Sequence, residues 1–112
     1  MPRRARPDPL AARIGARIRV LRKEAGLTLE KLAYESDVGS KGFLSDVEKG
    51  LARPTVETLA KIADRLEVAL LDIVTFPDAD DRQRLIDRTR RLSKGSLRKL
   101  LKETSTSEKS SA

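Results

Sequence analysis

Residues 28–50 read TLEKLAYESDVGSKGFLSDVEKG, and this stretch decides the fold class of the chain. Thr28 and Ser40 each stand where the first turn of a helix needs a capping hydroxyl. Residues 37–39, Asp-Val-Gly, are typical of a turn. After each cap, apolar residues recur at helical spacing and are predicted to face inward: Leu29, Leu32 and Ala33, then Leu44 and Val47. The stretch therefore predicts two short helices joined by a turn of about four residues.

Helical patterns continue on both sides of this stretch. The predicted helices around it are Leu10–Ala25, a Thr55-capped helix through Leu66, a short helix over 69–74, a helix that follows Asp78–Asp81 to Leu92, and a last helix over Leu97–Lys102. The sequence shows no strand pattern and no internal repeat. We therefore expect an all-α fold of five short helices with a C-terminal helical extension. The predicted boundaries are a disordered basic arm (1–9), the helical domain (10–76), the basic extension (77–103) and a disordered tail (104–112).

The composition excludes several classes of protein. A chain of 112 residues has room for one small domain plus tails. It contains no His and no Cys, which excludes metal sites built on them, disulfides, thiol nucleophiles and imidazole bases. No run approaches the roughly 18–20 apolar residues of a membrane span, and no apolar stretch follows the basic start to form a secretory signal. We expect a cytoplasmic protein that is not an enzyme and holds no metal or cofactor.

The positive charge lies in the flanks of the chain. Lys and Arg number 24 against 17 Asp and Glu, a net charge of +7. Residues 10–74 hold 11 basic and 10 acidic side chains, whereas residues 75–112 hold 10 basic and 6 acidic ones. The densest block, residues 82–102, has nine basic residues against Asp87. Charge alone would therefore place a nucleic-acid contact at the C-terminal end, away from residues 28–50.

Many residues between 14 and 74 stand at spacings shared with a known family: Ile14-Gly15, Leu21-Arg22, Gly26-Leu27-Thr28, Leu32-Ala33, Leu44-Ser45, Glu48-Lys49-Gly50, Pro54-Thr55, Leu59, Ile62-Ala63 and Leu66. Through them the chain resembles the phage-repressor/Cro-like (XRE-type) helix-turn-helix family. The resemblance implies a lambda-repressor-like domain of five helices. Its third helix would lie in the major groove of DNA, where side chains reach the base edges.

The resemblance places DNA contacts on the outward side of this third helix and beside it. The implied contact residues are Thr28, Ser40, Lys41, Gly42, Ser45, Asp46, Lys49 and Arg53. Lys41 can donate to guanine or to phosphate, and Gly42 lets the backbone come close. Ser40 is equally well explained as a helix cap. Asp46 accepts hydrogen bonds only, so it either reads a cytosine amino group or repels phosphate.

The chain departs from the family pattern in three places. The stretch between Ala33 and Ser45 is one residue longer than usual, which can shift the base-reading register by one. Leu29 stands where many members have a glutamine that contacts the phosphate backbone, so we expect that contact to be lost. Residues 40–50 hold two lysines, one aspartate and one glutamate, which leaves the recognition segment without net charge.

Arg22 and Glu48 match a pair that, in this family, forms a salt bridge between the first and third helices. We expect the bridge here rather than two solvated surface charges. If the bridge is largely desolvated, loss of one partner costs about 3–5 kcal/mol, far more than loss of one partner from an exposed pair.

The flanks have several candidate roles. Members of the family commonly dimerise through the fifth helix, here Leu70, Leu71, Ile73 and Val74, and residues 85–101 would extend or cover that surface. For the stripe of Leu85, Ile86, Thr89 and Leu92 we expect packing on a second subunit or the core, ahead of phosphate contact by its basic neighbours. Residues 79–102 are also a candidate surface for a protein partner. Arg3, Arg4 and Arg6 can enter a minor groove, but we expect an arm without a role.

These expectations favour a sequence-specific transcriptional regulator that binds double-stranded DNA as a homodimer and associates with the nucleoid. Two alternatives stay open. One is a protein-interaction adaptor built on the same fold, which the uncharged third helix permits. The other is an antitoxin-type repressor that binds a toxin through its C-terminal segment. A steep loss of binding with salt separates DNA binding from the adaptor role, and a copurifying partner would identify the antitoxin.

Overall fold

The computed structural model of the protein describes residues 5–110, with side chains up to residue 107. Within that range the helices are α1 (Pro9–Glu24), α2 (Leu29–Ser36), α3 (Lys41–Glu48), α4 (Val56–Leu66), α5 (Leu70–Ile73), α6 (Asp81–Thr89) and α7 (Lys94–Ser110). The described residues contain no strand, so the all-α prediction is confirmed. The chain divides into two compact units, Met1–Phe76 with α1–α5 and Pro77–Ala112 with α6 and α7.

Side-chain caps begin the first four helices of the first unit. The hydroxyls of Thr28, Ser40 and Thr55 each accept a hydrogen bond from the backbone N–H three residues later, at 3.0–3.1 Å. Asp8 caps α1 in the same way, and Pro9 occupies its first turn. Residues 1–9 were predicted to be a disordered arm, whereas α1 begins at Pro9 with Asp8 as its cap. A capping carboxylate followed by proline is a preferred helix start. Residues 1–4 of that arm lie outside the described residues.

The core of the first unit forms where its five helices meet, with α3 packed against α1 and α2. The side chains that are almost fully buried there are Ile18, Leu32, Leu44, Val47, Ile62 and Ile73. Burial of each such side chain contributes about 1.5–3 kcal/mol. Two of them, Leu44 and Val47, belong to α3, so this helix is held by one face and leaves its other face to solvent.

The second unit has few buried contacts of its own. None of its residues up to 107 is buried, and Leu85 and Leu101 are 57% and 69% exposed. Asp80 caps α6: the Gln83 N–H donates to its Oδ1 at 2.8 Å, and this bond lowers the pKa of the Asp80 carboxyl. Helix α6 ends at Thr89 rather than at Leu92. Beyond Thr89, the Leu92 N–H donates to the Thr89 carbonyl, three residues back, at 3.1 Å, and so leaves the four-residue pattern of an α-helix.

Helix α7 is longer than the sequence predicts. We expected helix over residues 97–102 and a disordered tail from 104, whereas α7 runs from Lys94 to Ser110. Ser93 supplies the start, because its hydroxyl accepts from the Ser96 N–H at 3.2 Å. The threonines of the Ser- and Thr-rich stretch are satisfied inside the helix: Thr104 donates to the Leu100 carbonyl at 3.1 Å. No proline or glycine follows Gly95 to stop the helix.

Candidate nucleic-acid interface

Helix α3 has one buried face and one exposed face. Lys41 and Ser45 are four residues apart on α3, and Lys49 follows four residues later at the C-cap, so the three lie along one side of the helix. The two lysines are exposed and Ser45 is half-buried, whereas Leu44 and Val47 on the other side are in the core. The structure thus brings three of the predicted contact residues onto a single surface with two positive charges.

The start of α3 holds two more of the predicted residues, Ser40 and Gly42, and Asp46 lies one turn after Gly42. Ser40 caps the helix through the Phe43 N–H at 3.1 Å, so its capping role is realised at an exposed position. Gly42 is exposed, and a Cβ at that position would meet nothing nearer than the Ser40 hydroxyl at 3.7 Å. Asp46, four positions after Gly42, is half-buried. An approaching chain or duplex would therefore find open backbone at Gly42, next to Lys41.

The turn between α2 and α3 contains two residues with positive φ. Asp37 ends α2 in the left-handed region at φ 57°, and Gly39 has φ 121°, a value that side chains rarely adopt. These two positive φ values reverse the chain within the turn, and Ser40 remains at the cap position. The turn therefore leaves α3 with an ordinary capped start.

Thr28, one of the predicted contact residues, lies at the start of α2, next to Leu29. Thr28 is exposed, and its hydroxyl accepts from the Lys31 N–H at 3.0 Å. Leu29 is partly buried and packs against the core. The apolar side chain at this position thus contributes to packing.

Arg53, the last predicted contact, lies in the loop between α3 and α4 and already has an ionic partner. Its Nη2 donates to Oδ1 of Asp8 at 2.8 Å. Sequence reasoning missed Asp8 because its segment was assigned to a disordered arm. The available signal was the Asp8-Pro9 pair directly before an apolar helical pattern, which is typical of a helix start.

Two buried arginines fix α1 against its neighbours. Arg22 donates from Nε and Nη2 to the two carboxylate oxygens of Glu48, at 2.7 and 3.0 Å, and from Nη1 to the Leu27 carbonyl at 2.9 Å. The side chains of this pair are only 10% and 6% exposed. Sequence reasoning missed Arg17, whose Nε donates to the backbone carbonyl of Asp72 at 2.9 Å. Its spacing from Ile18 and Leu21 placed it on the inward side of α1, which was the usable signal.

Neither a metal cluster nor a membrane-spanning helix occurs in the part of the chain that the structure describes. No three His, Cys, Asp or Glu residues there are grouped so that they could hold a metal ion. No described helix combines the length and the apolar character needed to cross a bilayer.

Known proteins similar to this chain match mainly its first unit. Residues 13–76 match a family model described as a helix-turn-helix domain. The HTH-type transcriptional regulator SlrR of Bacillus subtilis is 43% identical over 61 residues, which make up 54% of this chain and 40% of SlrR. The HTH-type transcriptional regulator y4dJ of Sinorhizobium fredii is 38% identical over 65 residues, which make up 58% of this chain and 83% of y4dJ. The match thus spans less than half of SlrR and most of y4dJ.

A solved structure extends the likeness to most of the chain. In the complex of the SinR and SinI proteins, one chain superposes with a TM-score of 0.60 at 26% sequence identity. The match covers 86% of this chain and 98% of that one.

Proposed function

Because the chain belongs to the helix-turn-helix domain family, we propose that it is a DNA-binding transcriptional regulator that places α3 in the major groove. The observation that carries the proposal is the exposed face of α3, with Lys41, Ser45 and Lys49 on one side of a helix anchored through its other side. A helix fits the major groove, and lysine and serine side chains reach acceptors on bases and phosphates. Two similar proteins, SlrR and y4dJ, are named as HTH-type transcriptional regulators, which supports the proposal.

Selection of genomic DNA tests this function without knowledge of the operator. Sheared DNA from the native host is mixed with the purified full-length protein, and the retained fragments are sequenced. We expect enrichment of a small set of fragments that share a motif. Retention of all fragments alike, or of none, would count against a sequence-specific regulator.

Lys41 and Ser45 are expected to carry part of the discrimination between cognate and random duplexes. Lys41→Ala and Ser45→Ala should each reduce this discrimination by about 1–3 kcal/mol, because a lost base contact affects only the cognate site. Fluorescence anisotropy on the two duplexes gives both affinities. Lys61→Ala is the matched control, since Lys61 is an exposed lysine on α4. Equal losses on both duplexes would show that Lys41 and Ser45 contact only the DNA backbone.

We also propose that the protein acts as a homodimer. On α5, Leu70, Leu71 and Val74 are exposed and available to a second subunit. Ile73 was predicted to belong to the same surface. It is fully buried instead, because its side chain packs in the core of the first unit. The second unit adds the exposed Leu85 and a helix of 17 residues, α7. We propose that this unit extends the dimer surface.

Deletion of residues 79–112 tests the role of the second unit. If the unit extends the dimer, the shortened protein should dissociate at concentrations where the full chain is dimeric. Sedimentation equilibrium of both proteins gives the two dissociation constants. A shortened protein that dimerises more tightly would make the second unit a cover over the α5 surface. An unchanged dissociation constant would show that the unit takes no part in dimerisation.

A further inference from the structure

The ion pair of Asp8 and Arg53 includes one of the residues expected to contact DNA. Arg53 follows the C-terminal end of α3 in the chain, and its side chain is 56% exposed. At such a contact an arginine neutralises a phosphate of the duplex. The Asp8 carboxylate lies 2.8 Å from Nη2 of Arg53 and offsets part of that positive charge.

Asp8 is held at this position by the fold. Its Oδ2 accepts from the Ala11 N–H at 3.0 Å, and its own backbone N–H donates to the Gly50 carbonyl at 3.1 Å. These bonds tie the residue to the start of α1 and to the end of α3. If the carboxylate turned away, the Ala11 N–H at the start of α1 would lose its acceptor. The fold therefore holds this negative charge next to Arg53.

We propose that Asp8 restrains DNA binding: its fixed carboxylate offsets the charge of Arg53 and weakens attraction to phosphate on every sequence alike. The proposal rests on the proposed DNA-binding function. Phosphate contacts by Lys and Arg release condensed counterions, which makes affinity fall with salt. An arginine whose charge is offset by a neighbouring carboxylate contributes less to this release. The effect of Asp8 should therefore show in the affinity and in its salt dependence together.

Asp8→Asn tests the restraint while it preserves the fold, because asparagine caps helices about as well as aspartate. The affinity of the full-length protein for one duplex is measured by anisotropy between about 50 and 200 mM salt. D8N should bind several-fold more tightly at the lower salt, and its advantage should shrink by roughly threefold at the higher salt, as one additional phosphate contact requires. Asp64→Asn makes the same change of charge at an exposed position on α4 and should leave the affinity within twofold of wild type.

Arg53→Ala separates a local effect from a general one. In the R53A background, D8N should no longer change the affinity, because the guanidinium on which Asp8 acts is gone. An undiminished D8N effect in that background overturns the proposal, and so does a D8N variant that binds no more tightly than wild type. Asp8→Ser, which also keeps a capping oxygen, replaces D8N if thermal unfolding shows that D8N is not folded. A wild-type protein that binds no DNA overturns the proposed function instead.

Discussion

Arg22→Ala is expected to lower the free energy of unfolding by about 3–5 kcal/mol. The substitution leaves the Glu48 carboxylate, 6% exposed, without the guanidinium that donates to both of its oxygens. It also removes the donor to the Leu27 carbonyl. An unpaired charge in that environment is more costly than the loss of the attraction itself. Chemical denaturation of wild type and variant, compared at equal m-values, measures the loss.

The double variant and an exposed pair make this prediction specific. Glu48→Ala removes the other charge, so the double substitution should cost clearly less than the sum of the two single ones. Lys61→Ala breaks the pair with Glu57 on α4, whose side chains are 45% and 81% exposed, and should change stability by under about 0.5 kcal/mol. If Arg22→Ala is as mild as Lys61→Ala, the buried bridge does not stabilise the first unit.

Gly15→Ala is expected to destabilise the protein by about 3 kcal/mol, although alanine is the better helix former. A Cβ at position 15 would lie 2.2 Å from the Val47 carbonyl oxygen and 2.6 Å from that of Glu48. Both obstacles are backbone atoms of α3, so relief requires that α1 and α3 move apart. That movement would also strain the Arg22–Glu48 bridge, which joins the same two helices.

Gly42→Ala is the matched control for this steric argument. Gly42 is also helical and its nearest obstacle is a flexible hydroxyl at 3.7 Å, so alanine there should stabilise by up to about 1 kcal/mol. Urea denaturation of both variants gives the comparison. Similar stabilities for G15A and G42A would mean that α1 and α3 do not approach as closely as the structure has them.

The sequence was most informative where one residue decides a local feature. Thr28, Ser40 and Thr55 were recognisable as caps because a short hydroxyl side chain preceded an apolar helical pattern. Asp8 carried the same signal, but the surrounding prolines and arginines of residues 1–7 favoured a disordered reading. The helical tail to Ser110 was missed because its serines and threonines have low helix propensity, whereas Thr104 satisfies its hydroxyl within the helix.

In the candidate site, too, the sequence predicts local features but not long-range contacts. The residues on the outward side of α3 follow from helical spacing, because Leu44 and Val47 fix which side faces the core. The partner of Arg53 does not follow from spacing. Asp8 and Arg53 are separated by 45 positions, and only the packing of the α1 start against the α3 end brings them together. Arg17 and its acceptor on Asp72 are a further long-range contact of this kind.

The affinity of the full-length protein for a selected genomic duplex, measured across a salt series beside a random duplex of equal length, tests the DNA-binding role most directly. We expect the logarithm of the affinity to fall linearly and steeply with the logarithm of the salt concentration. The selected duplex should bind more tightly than the random one at each salt concentration. An affinity that does not change between about 50 and 200 mM salt, or that is equal for the two duplexes, would contradict sequence-specific binding through α3.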